Sequence, residues 1–213
     1  MSFSFDCSDP IERESGIAAA SRAVTAGQLV VLPTDTLYGI GADAFDSAAV
    51  TALLAAKGRG RDMPVPVLIG SWDTLDGLVS YVPELVRSLI EAFWPGGLTL
   101  IVTHAPTLSW DLGDARGTVA VRMPLHPVAL QLLADTGPMA VSSANKSGHA
   151  PATTAQDAND QLGEEVSVYL DGGASEAGIA STIIDVTAET PRMVRQGAVG
   201  IDELREVVPT LAG

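Results

Sequence analysis

Three cations fall within five positions, Lys57-Gly58-Arg59-Gly60-Arg61, in a chain whose 26 acidic and 12 basic residues give a formal net charge of −14. The other lysine, Lys146, also sits in a small-residue loop, Ser142-Ser143-Ala144-Asn145-Lys146. Glycines let backbone N–H groups approach an anion, lysine supplies a compact charge and arginine a forked donor, so residues 57–61 have the composition of a phosphate site. The same residues suit an ordinary helix end, where glycine caps the helix and cations favour its dipole. Both readings stay open at this segment.

Other polar groups recur beside apolar runs. Pro33-Thr34-Asp35-Thr36-Leu37-Tyr38-Gly39-Ile40-Gly41 follows Leu29–Leu32 and is richer in hydroxyls than a plain turn requires. Thr118 opens and Arg122 closes the alternating Thr-Val-Ala-Val-Arg run, Ser181 opens Ser-Thr-Ile-Ile-Asp-Val, and Arg195 lies in Val-Arg-Gln-Gly. Ends of strands are where open α/β sheets place their ligand sites. Gly39-x-Gly41-x-x-Ala44 matches a relaxed dinucleotide fingerprint, but six residues separate it from the preceding apolar run, so it carries little weight. There is no GxxxxGK[ST] loop and no GxSxG elbow. With one cysteine, Cys7, and three dispersed histidines, His104, His126 and His149, neither an internal disulfide nor a protein-built metal cage is expected.

These groups need a scaffold. Capping and periodicity predict helices over residues 10–26, 47–56, 126–135 and 155–162, with two short helices between 72 and 93. Strands are predicted at 28–32, 65–69, 98–103, 118–122, 139–141, 166–170, 181–186 and 192–195. Interleaving of the two types, with several late strands in succession, predicts an α/β fold on a twisted mixed sheet. No repeat or linker-like shift divides the chain, so residues 1–213 are expected to form a single domain.

At 46% hydrophobic and 18% charged, the composition is that of a folded globular chain. No stretch approaches the roughly 18–20 apolar residues of a membrane span and the first residues lack a signal-peptide pattern, so a cytoplasmic protein without membrane contact is expected.

In order along the chain, "PTDTLYGIGADA", "KGR", "MPVPVLI", "WPGGLTLIV", "TVAVRMPLHPVALQLL", "SSANKSGHAPATT" and "GIASTIIDV…VRQGAV" resemble the YrdC-like family, over about residues 15–204. The Lys57/Arg59 and Ser143/Asn145 pairs correspond to its KxR and SxN signatures. The resemblance implies a concave cavity on the sheet and a nucleotidyltransferase that makes threonylcarbamoyl-AMP and pyrophosphate from L-threonine, bicarbonate and ATP, with Mg²⁺ carried by ATP. It implies a functional link to the machinery that threonylcarbamoylates tRNA adenosine, and the short form that lacks an extra C-terminal domain. By resemblance, Thr34, Arg122, Val141 and Ser181 bind threonine. Lys57, Arg59, Thr118, Ser143, Asn145, Pro151 and Arg195 bind ATP, with Lys57 and Arg59 carrying the catalysis. Arg61 joins the ATP side on its charge and position.

Two departures stand out: Leu68 occupies a position where many relatives carry histidine, which removes a polar group, and Ser142 replaces the proline of "PSAN", expected to change loop stiffness more than chemistry. The rival class is a noncatalytic double-stranded-RNA-binding module, or a related fold acting on another acceptor. A chain with 12 bases has little cationic surface for counter-ion release, so only weak or local RNA binding is expected.

Overall fold

The computed structural model describes residues 2–212. Its elements run β1 (Phe3–Asp6), α1 (Pro10–Thr25), β2 (Val30–Leu32), β3 (Gly39–Asp43), α2 (Ser47–Lys57), β4 (Val67–Leu68), α3 (Trp72–Leu78), α4 (Glu84–Phe93), β5 (Leu98–Thr103), β6 (Thr118–Arg122), α5 (Pro127–Thr136), β7 (Met139–Ser143), α6 (Ala155–Leu162), β8 (Val168–Asp171), β9 (Thr182–Asp185), β10 (Arg192–Arg195) and α7 (Ile201–Val207). All ten strands join one sheet in the order β1-β8-β2-β3-β7-β4-β6-β5-β9-β10. Pairs β1/β8, β8/β2, β4/β6 and β5/β9 are parallel and the other five antiparallel, so the sheet is mixed as expected.

Local chemistry starts and stops the helices that matter most. Asp9 accepts from the N–H groups of Ile11 and Glu12 and Pro10 opens α1; Asp46 caps α2 in the same way. Gly58 ends α2 in the left-handed region at φ 60°, which turns the chain outward immediately before Arg59. The helix-end reading of the 57–61 segment is therefore true of Lys57 and Gly58.

Side chains alternate across the sheet and sort into two layers. Val67, Leu98, Leu100, Val119, Val121, Ala140 and Ile184 point to one face, where they join α2, α3, α4, α6 and α7 in the larger core. On the other face, Val30, Leu32, Met139, Val141, Val168 and Leu170 pack with α1 and α5 in a second core. Those two helices cover the β1-β8-β2 side of that face. Toward β6, β5 and β9 that core ends, with Leu68 of β4 and Val141 of β7 at its border, and the site lies there.

Three elements were not predicted. β1 is a largely exposed edge strand of four residues, and α7 buries only Leu204 inside the helix, so neither shows strong periodicity. The third is β3, which holds Gly39 and Gly41, the two glycines of the weak dinucleotide fingerprint. Both lie in a regular strand between β2 and β7, where a Cβ on Gly39 would stand 2.5 Å from Val141 Cγ1 and one on Gly41 2.8 Å from Met139 Cε. Glycine is required by close packing of β3 side to side with those chains, not by a turn. Among the described residues no helix is long and apolar enough to cross a membrane.

Candidate active site

The uncovered half of the sheet forms the floor of a cavity of about 370 Å³. Its residues come from one face of adjacent strands and their ends: Thr99 and Ile101 of β5, Thr118, Ala120 and Arg122 of β6, Leu68, Val141, Ser181 and Ile183. The partners that alternate with them are core leucines, valines and isoleucines, so one face of each strand holds the fold while the other carries small polar groups. Thr34, Leu37 and Gly39 form one wall, and Pro64–Pro66, Leu112, Ala115, Pro151 and Arg195 rim the opening.

Among the described residues three guanidiniums reach this cavity, Arg59, Arg122 and Arg195, and no Asp or Glu lines it. Arg122 is 6% exposed and donates from Nε to Gly96 O (2.8 Å), from Nη1 to Thr36 Oγ1 (2.7 Å) and from Nη2 to Asp35 Oδ1 (2.6 Å). Two of its five N–H groups remain for a ligand. Arg195, at the mouth with its guanidinium part-buried, donates from Nε and Nη2 to Ser181 O, and from Nη2 to Ser181 Oγ. Arg59 donates from Nη1 to Ser142 Oγ at 3.0 Å. Among the described residues neither Arg59 nor Arg195 forms an ion pair, whereas Arg122 has Asp35 behind it. Burial lowers the pKa of all three arginines; the Asp62 charge opposes this at Arg59 and Asp35 opposes it at Arg122, while the Arg59 charge adds to it at Arg195 and that of Arg195, more weakly, at Arg122. Arginine keeps its proton under such pressure, so the cavity wall stays positively charged.

Thr34 organises the wall opposite β6. Its Oγ1 donates to Leu37 O (2.6 Å), accepts from the N–H groups of Thr36 and Leu37, and lies 3.0 Å from Thr36 Oγ1. The turn 34–37 is thus fastened to Arg122 through Thr36. Ser181 Oγ lies 2.8 Å from Thr99 Oγ1, and Thr118 Oγ1 donates to Ala115 O. These hydroxyls are oriented before any ligand arrives, which lowers the entropic cost of binding.

Residues 22–197 match a family model, Sua5_yciO_yrdC, whose description is "Telomere recombination". The chain belongs to the Sua5/YciO/YrdC family. A Mycobacterium tuberculosis protein, provisionally named a threonylcarbamoyl-AMP synthase, is 62% identical over 98% of this chain and 96% of its own length. A Pyrococcus abyssi protein named threonylcarbamoyl-AMP synthase is 36% identical over 90% of this chain and 57% of its own. The crystal structure titled as P. abyssi Sua5 complexed with L-threonine superposes with a TM-score of 0.93 at 34% identity, covering all of this chain and 62% of that one. The chain therefore spans under two thirds of the archaeal relative.

Within this Sua5/YciO/YrdC fold, Thr34, Arg59, Thr118, Arg122, Val141, Ser143, Pro151, Ser181 and Arg195 all come to the cavity wall. Three residues do not. Lys57 is 3% exposed and its Nζ donates to the carbonyls of Ser143 and Asn145, while its own carbonyl accepts from Ser147 N–H. Asn145 turns its amide inward, donating to Lys146 O and His149 O. Both residues hold the 143–149 loop from behind rather than face the cavity. Burial, with a smaller contribution from Arg59, pushes the Lys57 ammonium down to about 8. Arg61 is exposed and bound to Asp111 (2.6 Å) and Asp114 (3.9 Å), which ties the two rim loops together.

Ser142 also differs from expectation, because its hydroxyl accepts from Arg59 and so takes part in the polar chemistry of the cavity. Leu68 stands on the wall as an apolar surface, consistent with the loss of a polar group there. Sequence reasoning missed Thr36 and Thr99, although Thr99 lies at the alternate position of a visible strand pattern. Among the described residues no group of three or more His, Cys, Asp and Glu could hold a metal ion. Asp35 is engaged with Arg122 and with Leu125 N–H (2.9 Å), which leaves it poorly placed as a ligand to Mg²⁺.

Proposed function

We propose that the chain is an L-threonylcarbamoyladenylate synthase, a nucleotidyltransferase that joins L-threonine, bicarbonate or CO₂, and ATP and releases pyrophosphate. The reading is carried by one observation: a cavity wall with three guanidiniums and no carboxylate in a chain of net charge −14. Such a wall suits ligands that are all anions.

The two kinds of arginine divide the substrates. Arg59 and Arg195, which form no ion pair among the described residues, meet the triphosphate, with Thr118, Ser143 and the backbone near Pro151 along its path. Arg122, whose charge Asp35 largely balances, offers its two free N–H groups to the single carboxylate of threonine. Thr34, Val141 and Ser181 complete that end. Lys57 and Asn145 act by holding the loop that carries Ser143. Mg²⁺ enters as part of the MgATP substrate, on the phosphates, since the donor set does not build a protein cage.

The threonine amine adds to CO₂ to give a carbamate, losing one proton. A carbamate oxygen then attacks the α-phosphorus and the bond to the β-phosphate oxygen breaks, so pyrophosphate leaves. Both partners are negative, so the barrier is charge repulsion and misalignment; cations and preset hydroxyls lower it without a protein nucleophile. The product is the expected donor for N6-threonylcarbamoyladenosine in tRNA, and on this reading the protein works in the cytoplasm with a transferase that uses the adenylate. Four cations, Lys57, Arg59, Arg122 and Arg195, are committed to the site, which depletes the surface charge that an RNA-binding module needs.

Pyrophosphate release is expected only when threonine, bicarbonate and MgATP are present together, with labelled bicarbonate carbon recovered in the adenylate by mass spectrometry. Release that is indifferent to threonine rejects the assignment.

A further inference from the structure

The three cavity arginines are held in different ways. Arg122 has three acceptors, one of them a carboxylate, and Arg195 grips Ser181 through two nitrogens. Arg59 has one well-formed bond, from Nη1 to Ser142 Oγ at 3.0 Å. Its second contact, Nη2 to Pro64 O, is 3.4 Å long, and among the described residues its buried Nε has no partner. A side chain with several rotatable bonds and one good contact takes its orientation from that contact. Ser142 is itself fixed, being 9% exposed, in β7 opposite Ile40, and part of the cavity lining.

We infer that Ser142 is a positioning residue for the nucleotide: its hydroxyl aims the Arg59 guanidinium without neutralising it. A carboxylate in its place would hold the arginine more strongly but would consume the charge, as Asp35 does at Arg122. A neutral hydroxyl accepts one N–H and leaves the cation whole for a phosphate oxygen. Removing the hydroxyl leaves Arg59 charged and present but free to rotate, so the loss falls on the ligand that the guanidinium must meet. The inference rests on the reading of the cavity as an ATP site.

The test is calorimetric titration of MgATP into the wild type, Ser142→Ala, Ser142→Thr, Arg59→Ala and the Ser142→Ala/Arg59→Ala double variant, with steady-state KM for MgATP and for threonine. Ser142→Ala is expected to weaken MgATP about tenfold to a hundredfold, the range for one lost hydrogen bond to a charged group. KM for threonine stays within about twofold, Ser142→Thr restores most of the affinity, and Ser142→Ala adds nothing in the Arg59→Ala background. Ser142→Cys, close in size but a weak acceptor, repeats the comparison should the alanine variant fold poorly, and is expected to lose most of the same affinity. A wild type that binds MgATP with Ser142→Ala or Ser142→Cys binding it equally well overturns the inference alone. So does an equal loss for threonine and MgATP, or an effect undiminished without Arg59, since either reports a general disturbance of β7. A wild type that binds no MgATP overturns the functional reading, and the inference with it.

Discussion

Arg122 and Asp35 form an ion pair at 2.6 Å with side chains only 7% and 14% exposed, joining the end of β6 to the 34–37 turn. Asp35 also accepts from Leu125 N–H, so one carboxylate fixes the turn that carries Thr34, the guanidinium on the cavity floor and the segment leading into α5.

Removing one partner of such a pair leaves a buried charge without compensation, which typically costs about 3–5 kcal/mol. Asp35→Asn is therefore expected to lower the thermal midpoint by roughly 6–20 °C for a chain of this size, read by calorimetry or circular dichroism. The Asp35→Asn/Arg122→Met double variant recovers part of that stability but not threonine binding, because the guanidinium is gone. Equal stability of Asp35→Asn and wild type would show that solvent reaches the pair.

Arg59 and Arg61, two residues apart, are expected to part company. Arg59 is on the cavity wall and, among the described residues, forms no ion pair, whereas Arg61 is spent on Asp111 and Asp114 at the rim. Arg59→Ala is expected to reduce kcat/KM for MgATP by about a hundredfold or more, in line with the loss of a preorganised charge from a transition state. Arg61→Ala should change the same quantity by less than about threefold, since exposed pairs contribute little. Pyrophosphate-release kinetics separate the two; a loss at Arg61 as large as at Arg59 would place it in the site.

Lys57 makes stability depend on alkaline pH. Its ammonium is held down to about 8 by burial and by Arg59, against about 10.5 in the unfolded chain. Between those values the unfolded chain binds a proton that the folded one does not, so this residue's contribution to stability rises with pH across about 8 to 10.5 and is flat below 8. Wild type is expected to gain stability over Lys57→Met through that window, by roughly 3 kcal/mol at the upper limit, in urea titrations at stepped pH. A difference that is constant with pH would mean the two carbonyl acceptors keep the ammonium charged.

Gly39→Ala is expected to destabilise the fold by about 1–3 kcal/mol, the usual cost of overfilling a packed layer, because its Cβ would stand 2.5 Å from Val141 Cγ1. Val141 lines the cavity, so the variant should also raise KM for threonine. Pairing it with Val141→Ala, which makes room for the methyl, should restore much of the urea midpoint.

Legibility followed the length scale of each signal. Helices α1, α2, α5 and α6 were readable because caps and apolar spacing act within a few residues, and β6 was readable because Thr118, Ala120 and Arg122 alternate with Val119 and Val121. β3 was not, because Gly-Ile-Gly-Ala-Asp has almost no intrinsic strand preference and becomes a strand only between two neighbours. That Lys57, Asn145 and Arg61 lie off the cavity wall was not legible for a related reason: residue type at a sequence position says nothing of the direction in which a side chain points.

The sequence by itself determined the class of fold, the period-two division of strands into a core face and a polar face, and the set of hydroxyls and cations from which a site for anions is made. Only the tertiary structure decided which of those groups share a cavity and which are spent on the protein. Arg59, Arg122 and Arg195 come from segments more than 130 residues apart at the extremes, and what each can offer a ligand depends on acceptors such as Ser142, Asp35 and Ser181. Those acceptors lie 83, 87 and 14 residues away from them along the chain. Such pairings are set by strand order and by the half of the sheet that α1 and α5 leave bare. They arise from non-local packing, to which spacing along the chain is blind.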